Sequence, residues 1–324
     1  PTMKNHTSTH IMNWALREVL GDHVQQKGSL VDPEKTRFDF SHNRPVTAEE
    51  LTRIERLCNE QIEADHRVYT QEVDQARARQ INTLRAVFGE KYPDVVRVVS
   101  IGADIDAMLA DPRNERWMRY SVEFCGGTHV NTSREAEHFV LTTEEGVAKG
   151  IRRVVGISGD AAIEAETLGA ALLAEARLLL NRGDASTDQS RPPQADEGAA
   201  LDSSASLVER LVDLQKRMNE SVIPLRVKHE LQTIVSDLQK QAKAQEKAAA
   251  SASADAVKDA VASLLASAET VGGVAVVVGE VPAARADALR SAIDWIRNKT
   301  EASAVVLAGV DGDKVTLLAG MSKD

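Results

Sequence analysis

The chain is short of aromatic residues, cysteine and positive charge, and each shortage excludes something. Aromatic side chains make up 3% of its 324 residues, so the cores must be built mainly from Val, Leu, Ile and Ala. Two cysteines, Cys58 and Cys125, are too few for a disulfide framework. A reducing compartment then leaves Cys125 free to bind a metal. No apolar run approaches the roughly 18 residues that a membrane helix requires, and the start has no secretory pattern. A cytoplasmic protein with no membrane partner is therefore expected. The formal charge of -10 argues against a protein that coats nucleic acid without specificity, while leaving room for a local basic surface.

What remains is an ordinary globular composition, 43% apolar and 27% charged, in a chain long enough for two or three domains. Asn5 can cap a helix carrying His6, His10, Ile11, Trp14, Leu16 and Leu20, with Gly21 as its stop. The stretch from Thr36 to Phe40 alternates as a strand does. Thr47-Ala-Glu-Glu50 predicts a capping box and a helix through Ile54, Leu57 and Ile62. Further strands are expected at 95–101, 121–125, 139–142 and 151–157. Residues 1–159 thus form an α+β unit, followed by a helical region at 160–250 with a loop at 183–206. In that region Leu207, Leu211, Leu214, Met218 and Val222, and then Val227, Leu231, Ile234 and Leu238, repeat at heptad spacing on either side of Pro224. This predicts a coiled coil or helical hairpin that pairs copies of the chain. Pro224 should end the first helix. Residues 251–324 alternate again as a small α/β unit: helix 255–268, strand 274–278, helix 282–299, strand 304–307, and a hairpin at Asp311-Gly312 into 315–318. Pro1 in place of Met and the strand-like stretch before Asp324 suggest a fragment of a longer protein.

The chemistry concentrates in two pairs of soft ligands, His6 with His10 and Cys125 with His129. Residues four apart on a helix share a face, so the two histidines can hold one ion. Gly126 and Gly127 allow the chain to turn so that Cys125 and His129 can point at one centre. Three imidazoles and a thiolate are ligands that zinc prefers. Four protein ligands would close a tetrahedral shell, whereas catalysis needs an open position; the spacing leaves both open. His23, His42, His66, His138 and His229 have no partner at ligand spacing and read as surface or core residues.

Asn5-His-Thr-Ser-Thr-His10, Gly28-Ser-Leu-Val31, Arg37-Phe-Asp-Phe-Ser-His42, Phe88-Gly-Glu-Lys-Tyr92, Phe124-Cys-Gly-Gly-Thr-His129 and Gly150-Ile-Arg-Arg153 resemble, in order and spacing, the editing domain of alanyl-tRNA synthetases. Val305-Val-Leu-Ala-Gly and Val315-Thr-Leu-Leu-Ala-Gly resemble that family's C-terminal domain, so the likeness spans nearly the whole chain. The resemblance implies a zinc-containing α+β domain of the threonyl/alanyl-tRNA synthetase second additional type, with one Zn(2+) on His6, His10, Cys125 and His129. It implies hydrolysis of serine or glycine wrongly attached to alanine tRNA, a second sieve for an enzyme whose small activation pocket cannot reject them. Thr9, Gln26 and Ser29 match residues that the family places around the aminoacyl ester. Thr9 precedes a ligand, so its hydroxyl can lie beside the metal. Lys149, Arg152 and Arg153 form a basic cluster suited to the tRNA 3′ end.

The departures from the family matter as well. The β-barrel with a Gly-Gly-Gln-type motif that normally precedes this domain and the ATP-dependent aminoacylation core are not in the sequence, so ATP is expected only for the missing part. Ser133-Arg-Glu-Ala-Glu-His138 replaces a stretch where the family carries small, glycine-containing residues. The alternatives are a free-standing trans-editing deacylase, a zinc-stabilised tRNA-binding and oligomerisation module without activity, and the editing domain of threonyl-tRNA synthetase, which the Cys-Gly-Gly-Thr-His context disfavours.

Overall fold

The first helix, α1 (Thr2–Leu20), is buried on nearly every side, and the rest of the N-terminal part is arranged around it. It packs on β1 (Gln26–Val31), β2 (Thr36–Ser41) and α2 (Ala48–Glu63), which follow it in the chain. Then come β3 (Val68–Asp74), α3 (Gln75–Ala78), β4 (Leu84–Arg85), β5 (Val95–Ile101), α4 (Ile105–Ala110), β6 (Ser121–Phe124), β7 (Phe139–Ala148) and β8 (Ile151–Ser158). The computed structural model describes residues 1–87, 89–185, 207–282, 286–311 and 314–322, and divides into two units, Pro1–Leu238 and Gln239–Asp324.

Two four-stranded sheets build the first unit, in the orders β1-β2-β8-β7 and β3-β5-β6-β4. The first sheet is antiparallel, and its inner strand β8 pairs with β2, Phe40 opposite Arg152. Helix α1 packs on β1, β2 and β8 of this sheet and on β6 of the other, so one rigid element touches both. Around it Ile11, Met12, Leu16, Phe38, Phe40, Ile54 and Phe139 form the main core. A full burial of one such side chain contributes roughly 1.5–3 kcal/mol. Such a site requires its polar residues to be bonded. Asn5 does not cap the helix, which starts at Thr2; its amide donates to Asp32 O (2.9 Å) and its Oδ1 accepts from the Ser158 hydroxyl (2.7 Å). The capping box on α2 is present: Glu50 N donates to Thr47 Oγ1 (3.2 Å) and Thr47 N to Glu50 Oε2 (3.0 Å).

The segment Ser133–Ala136 is a short 3₁₀ turn, and Glu137 after it has φ 66°. That conformation favours glycine, which gives a physical reason for the small residues the resemblance leads one to expect here. Here Lys4 Nζ pairs with Glu137 at 2.5 Å and Arg134 donates to Glu63 O at 2.7 Å, so charged side chains hold the turn.

Helices α5 (Asp160–Ala185), α6 (Leu207–Glu220) and α7 (Leu225–Ala266) follow. The loop expected at 183–206 lies, from residue 186 on, outside the described residues. Helix α6 stops before Pro224 as expected, and α7 begins just after it. The heptad residues Leu211, Leu214, Met218, Leu231 and Leu238 are buried against one another and against Leu172 and Ala176 of α5, within the chain. The separate helix expected at 255–268 is instead the continuation of α7, because the Ala- and Lys-rich stretch at 239–254 contains no breaker.

The second unit holds a sheet of β9 (Glu269–Val271), β10 (Val274–Pro282), β11 (Ser303–Asp311) and β12 (Lys314–Met321), in the order β12-β11-β10-β9. Helix α8 (Ala286–Lys299) supplies Leu289, Ile293 and Ile296 to its core. β11 and β12 form an antiparallel pair with Asp311 opposite Lys314, and residues 312–313 lie outside the described set. No described helix is long and apolar enough to cross a membrane.

Candidate metal centre

Helix α1 presents His6 and His10 on one face, and the segment after β6 brings Cys125 and His129 to it. One ligand atom from each of these residues lies within 4.8 Å of the others. Cys125 Sγ is 3.4 Å from His6 Nε2 and 3.5 Å from His129 Nε2. Bond lengths of 2.0–2.3 Å in a tetrahedron place ligand atoms about 3.3–3.8 Å apart, so these separations fit zinc. Gly127 makes the approach possible, because a Cβ there would stand 2.2 Å from His6 Cε1, whereas one on Gly126 meets nothing within 4 Å. Arg97 fastens the turn by donating to Cys125 O (2.8 Å) and Gly127 O (2.6 Å).

Outer contacts orient the imidazoles. His6 Nδ1 lies 3.1 Å from Thr128 O, and donation to that carbonyl leaves Nε2 as the free lone pair. His129 Nδ1 lies 3.1 Å from Thr7 Oγ1, which also accepts from Val130 N at 3.3 Å. His10 Nδ1 faces Glu123 Oε2 at 3.6 Å and has no closer partner. Glu123 is buried and accepts from Asn13 Nδ2 at 2.9 Å. Burial, reinforced by the neighbouring imidazoles, lowers His10 to about 3 and His129 to about 2. Burial also lowers His6, raises the Cys125 thiol, and pushes the Glu123 carboxyl up to about 7. Three neutral imidazoles and a thiol that gives up its proton to a cation form a donor set of zinc character.

The other expected site residues are placed less simply. Thr9 Oγ1 donates to Asn5 O (2.7 Å) and meets Thr36 Oγ1 at 2.5 Å, while it is the Thr7 hydroxyl that lies against His129. On β1, Gln26 Nε2 donates to Ser29 Oγ at 3.0 Å. Gln26 also lines a cavity of about 410 Å³, together with Asn13, Arg17, Arg79, Arg85 and Glu123, and Glu123 connects it to His10. Lys149 is exposed before β8. Arg152 pairs with Glu144 at 2.5 Å, and Arg153 makes two bonds to Asp39, at 2.7 and 2.9 Å.

Among the remaining histidines, His23 Nε2 and His42 Nδ1 lie 2.9 Å apart, with His42 buried. Sequence spacing missed Asn13, Glu123 and Arg85. Asn13 and Arg17 could have been found as the next positions on the His6–His10 face of α1; Arg85 carries no local signal.

The model of the threonyl and alanyl tRNA synthetase second additional domain matches residues 96–155. The mitochondrial alanine–tRNA ligase of Saccharomyces cerevisiae is 55% identical over 168 residues, 52% of this chain and 17% of that protein. The alanine–tRNA ligase of Hydrogenovibrio crunogenus is 38% identical over 321 residues, 99% of this chain and 30% of that protein. That of Methylobacillus flagellatus is 34% identical over 324 residues, again 30% of its length. The chain thus spans less than a third of the length of these curated relatives. With that domain at residues 96–155 and such likeness from end to end, the chain belongs to the alanyl-tRNA synthetase family.

Proposed function

We propose that the quartet holds one zinc ion and that the site hydrolyses the ester between tRNA(Ala) and a wrongly attached serine or glycine. The observation that carries this reading is the convergence of one thiol and three oriented imidazoles within 4.8 Å, connected through Glu123 to a polar cavity. His6, His10, Cys125 and His129 would be the ligands. A zinc ion bound there supplies Lewis acidity and an activated water. The Thr128 carbonyl and the Thr7 hydroxyl keep His6 and His129 in the tautomer that binds. Glu123 steadies His10 from behind and is itself held by Asn13. Gln26, which lines the cavity, and Ser29, bonded to it on β1, would meet the amino-acid end of a substrate. Thr9 acts from within the packing, holding α1 to β2 through Thr36.

The proposed partner is tRNA(Ala) through its mischarged 3′ end, with Lys149 the basic residue of its cluster not engaged in an ion pair described above. In domain terms the editing part is 1–159, the helical part 160–250 and the last part 251–324, acting in the cytoplasm. ATP belongs to the aminoacylation reaction of whole ligases and has no role in this step. Pairing of two copies through the helical region would use the exposed Val212 and Val222, since the inner seam residues are buried within the chain.

The test is deacylation of serine-charged tRNA(Ala) by the zinc-loaded chain and by Cys125→Ala, with zinc content measured on both. Hydrolysis lost together with bound zinc supports the reading. A wild-type chain that holds zinc and binds tRNA without hydrolysis would sink it and leave a binding module.

A further inference from the structure

Three guanidinium N–H groups around the cavity are sealed from solvent and have no hydrogen-bond partner: Arg85 Nε, Arg85 Nη1 and Arg17 Nε. Arg17 Nη2 is held by Asp22 at 2.8 Å, which fixes the side chain but leaves Nε unpaired. Arg79 stands at the same cavity with its guanidinium over the Phe124 ring, 5.5 Å from the centroid. Burial lowers Arg85 only to about 10, so it remains a cation at neutral pH. Buried donors and buried charge are costly unless paired. Two arginines from distant parts of the chain bearing the same deficit at one cavity point to a missing acceptor, and to an anionic one.

We propose that this cavity is an anion subsite that takes a backbone phosphate of the tRNA 3′ end, with Arg85 and Arg17 as its donors. The choice of tRNA as the source of the phosphate rests on the function proposed above; the anion preference does not. Guanidinium forks match the oxygens of a phosphate. Glu123, the carboxylate among the described lining residues, faces both His10 and Arg85, so an anion belongs at Arg17 and at the Arg85 nitrogens that Glu123 leaves without a partner. His10, Asn13 and Arg17 follow one face of α1, and the seven residues from His10 to Arg17 rise about 10 Å. An aminoacyl ribose and its own 5′ phosphate can cover that span, with the ester at the quartet and the phosphate at the arginines. The basic pair on β8 cannot serve in this way, because Glu144 and Asp39 already occupy Arg152 and Arg153.

The experiment measures equilibrium binding of three probes to the zinc-loaded full chain: the 5′-phosphorylated trinucleotide pCpCpA, adenosine, and inorganic phosphate. Wild type is compared with Arg85→Gln and Arg17→Gln, with zinc content and melting temperature recorded for each. The expected result is trinucleotide binding that each variant weakens at least tenfold, adenosine binding that neither changes, and unchanged zinc. Trinucleotide binding equal in wild type and both variants would overturn the proposal. So would a parallel loss of adenosine binding, which marks a structural role. Arg85-dependent binding of inorganic phosphate without binding of the trinucleotide would overturn the tRNA assignment. Arg85-dependent trinucleotide binding in a chain that fails to hydrolyse serine-charged tRNA would overturn the editing reading while supporting the subsite.

Discussion

Arg152 and Arg153 sit side by side on β8, and Arg17 and Arg85 sit far apart in the chain on α1 and β4; the adjacent pair is bonded to carboxylates, and the distant pair keeps unpartnered donors. Arg152 is bonded to Glu144 and Arg153 to Asp39, so their charges are spent within the sheet. Arg17 and Arg85 each bring unpartnered donors to one cavity. A run of basic residues in a sequence therefore shows where charge is concentrated, not where it is available. Availability depends on which carboxylates the sheet register sets opposite, and β8 has Asp39 of β2 directly opposite Arg153.

The largest effect that sharpens this comparison is on the salt dependence of single-stranded RNA binding. The double substitution Arg17→Gln/Arg85→Gln should lower the slope of log K against log salt by about 0.7, the value for one lost phosphate contact. Arg152→Ala should leave that slope unchanged, and a fall of similar size there would break the contrast. Next is the same lesson at two adjacent glycines. Gly127→Ala must displace His6 and should weaken zinc binding about 10–100-fold in a competitive chelator titration, while Gly126→Ala, with open space around its Cβ, should stay close to wild type. Equal affinities for the two variants would remove Gly127 from the design of the centre.

Arg152→Ala should cost about 1–3 kcal/mol in urea unfolding, because Glu144, whose side chain is 9% exposed, loses its cationic partner and keeps the Val46 amide. The smallest effect belongs to Glu50, at the surface. The Arg44 guanidinium, and then the Thr47 amide, hold its carboxyl down at about 2 against an ordinary 4.5. Its stabilising contribution is thus complete above about pH 4.5 and fades as pH falls toward 2. Glu50→Gln should cost about 0.5 kcal/mol at pH 7 and nothing near pH 2; a cost that persists at the lower pH would assign the effect to the cap alone.

Local chemistry was legible in the linear sequence. The His-x-x-x-His and Cys-x-x-x-His pairs are short-range patterns, and each needs only a helix or a tight turn to aim its ligands. The Thr47–Glu50 box and the stop before Pro224 are likewise decided by neighbours in the chain, and all of these appear in the structure. The continuity of α7 was harder, since an Ala- and Lys-rich stretch reads equally as linker or helix until its ends are anchored.

Tertiary structure alone decided what depends on distant residues. It joined β2 to β8, turned Asn5 from a helix cap into a bridge between Asp32 and Ser158, and gave the role beside His129 to Thr7 rather than Thr9. It also set Glu123 behind His10 and left Arg17 Nε and Arg85 Nε and Nη1 without hydrogen-bond partners at the cavity. The sequence by itself determined the zinc-type donor set and the α+β character, because ligand chemistry and hydrophobic period are properties of near neighbours. Which charges cancel and which stay free is a property of contacts between residues far apart in the chain, and only the folded arrangement of the two sheets around α1 decides it.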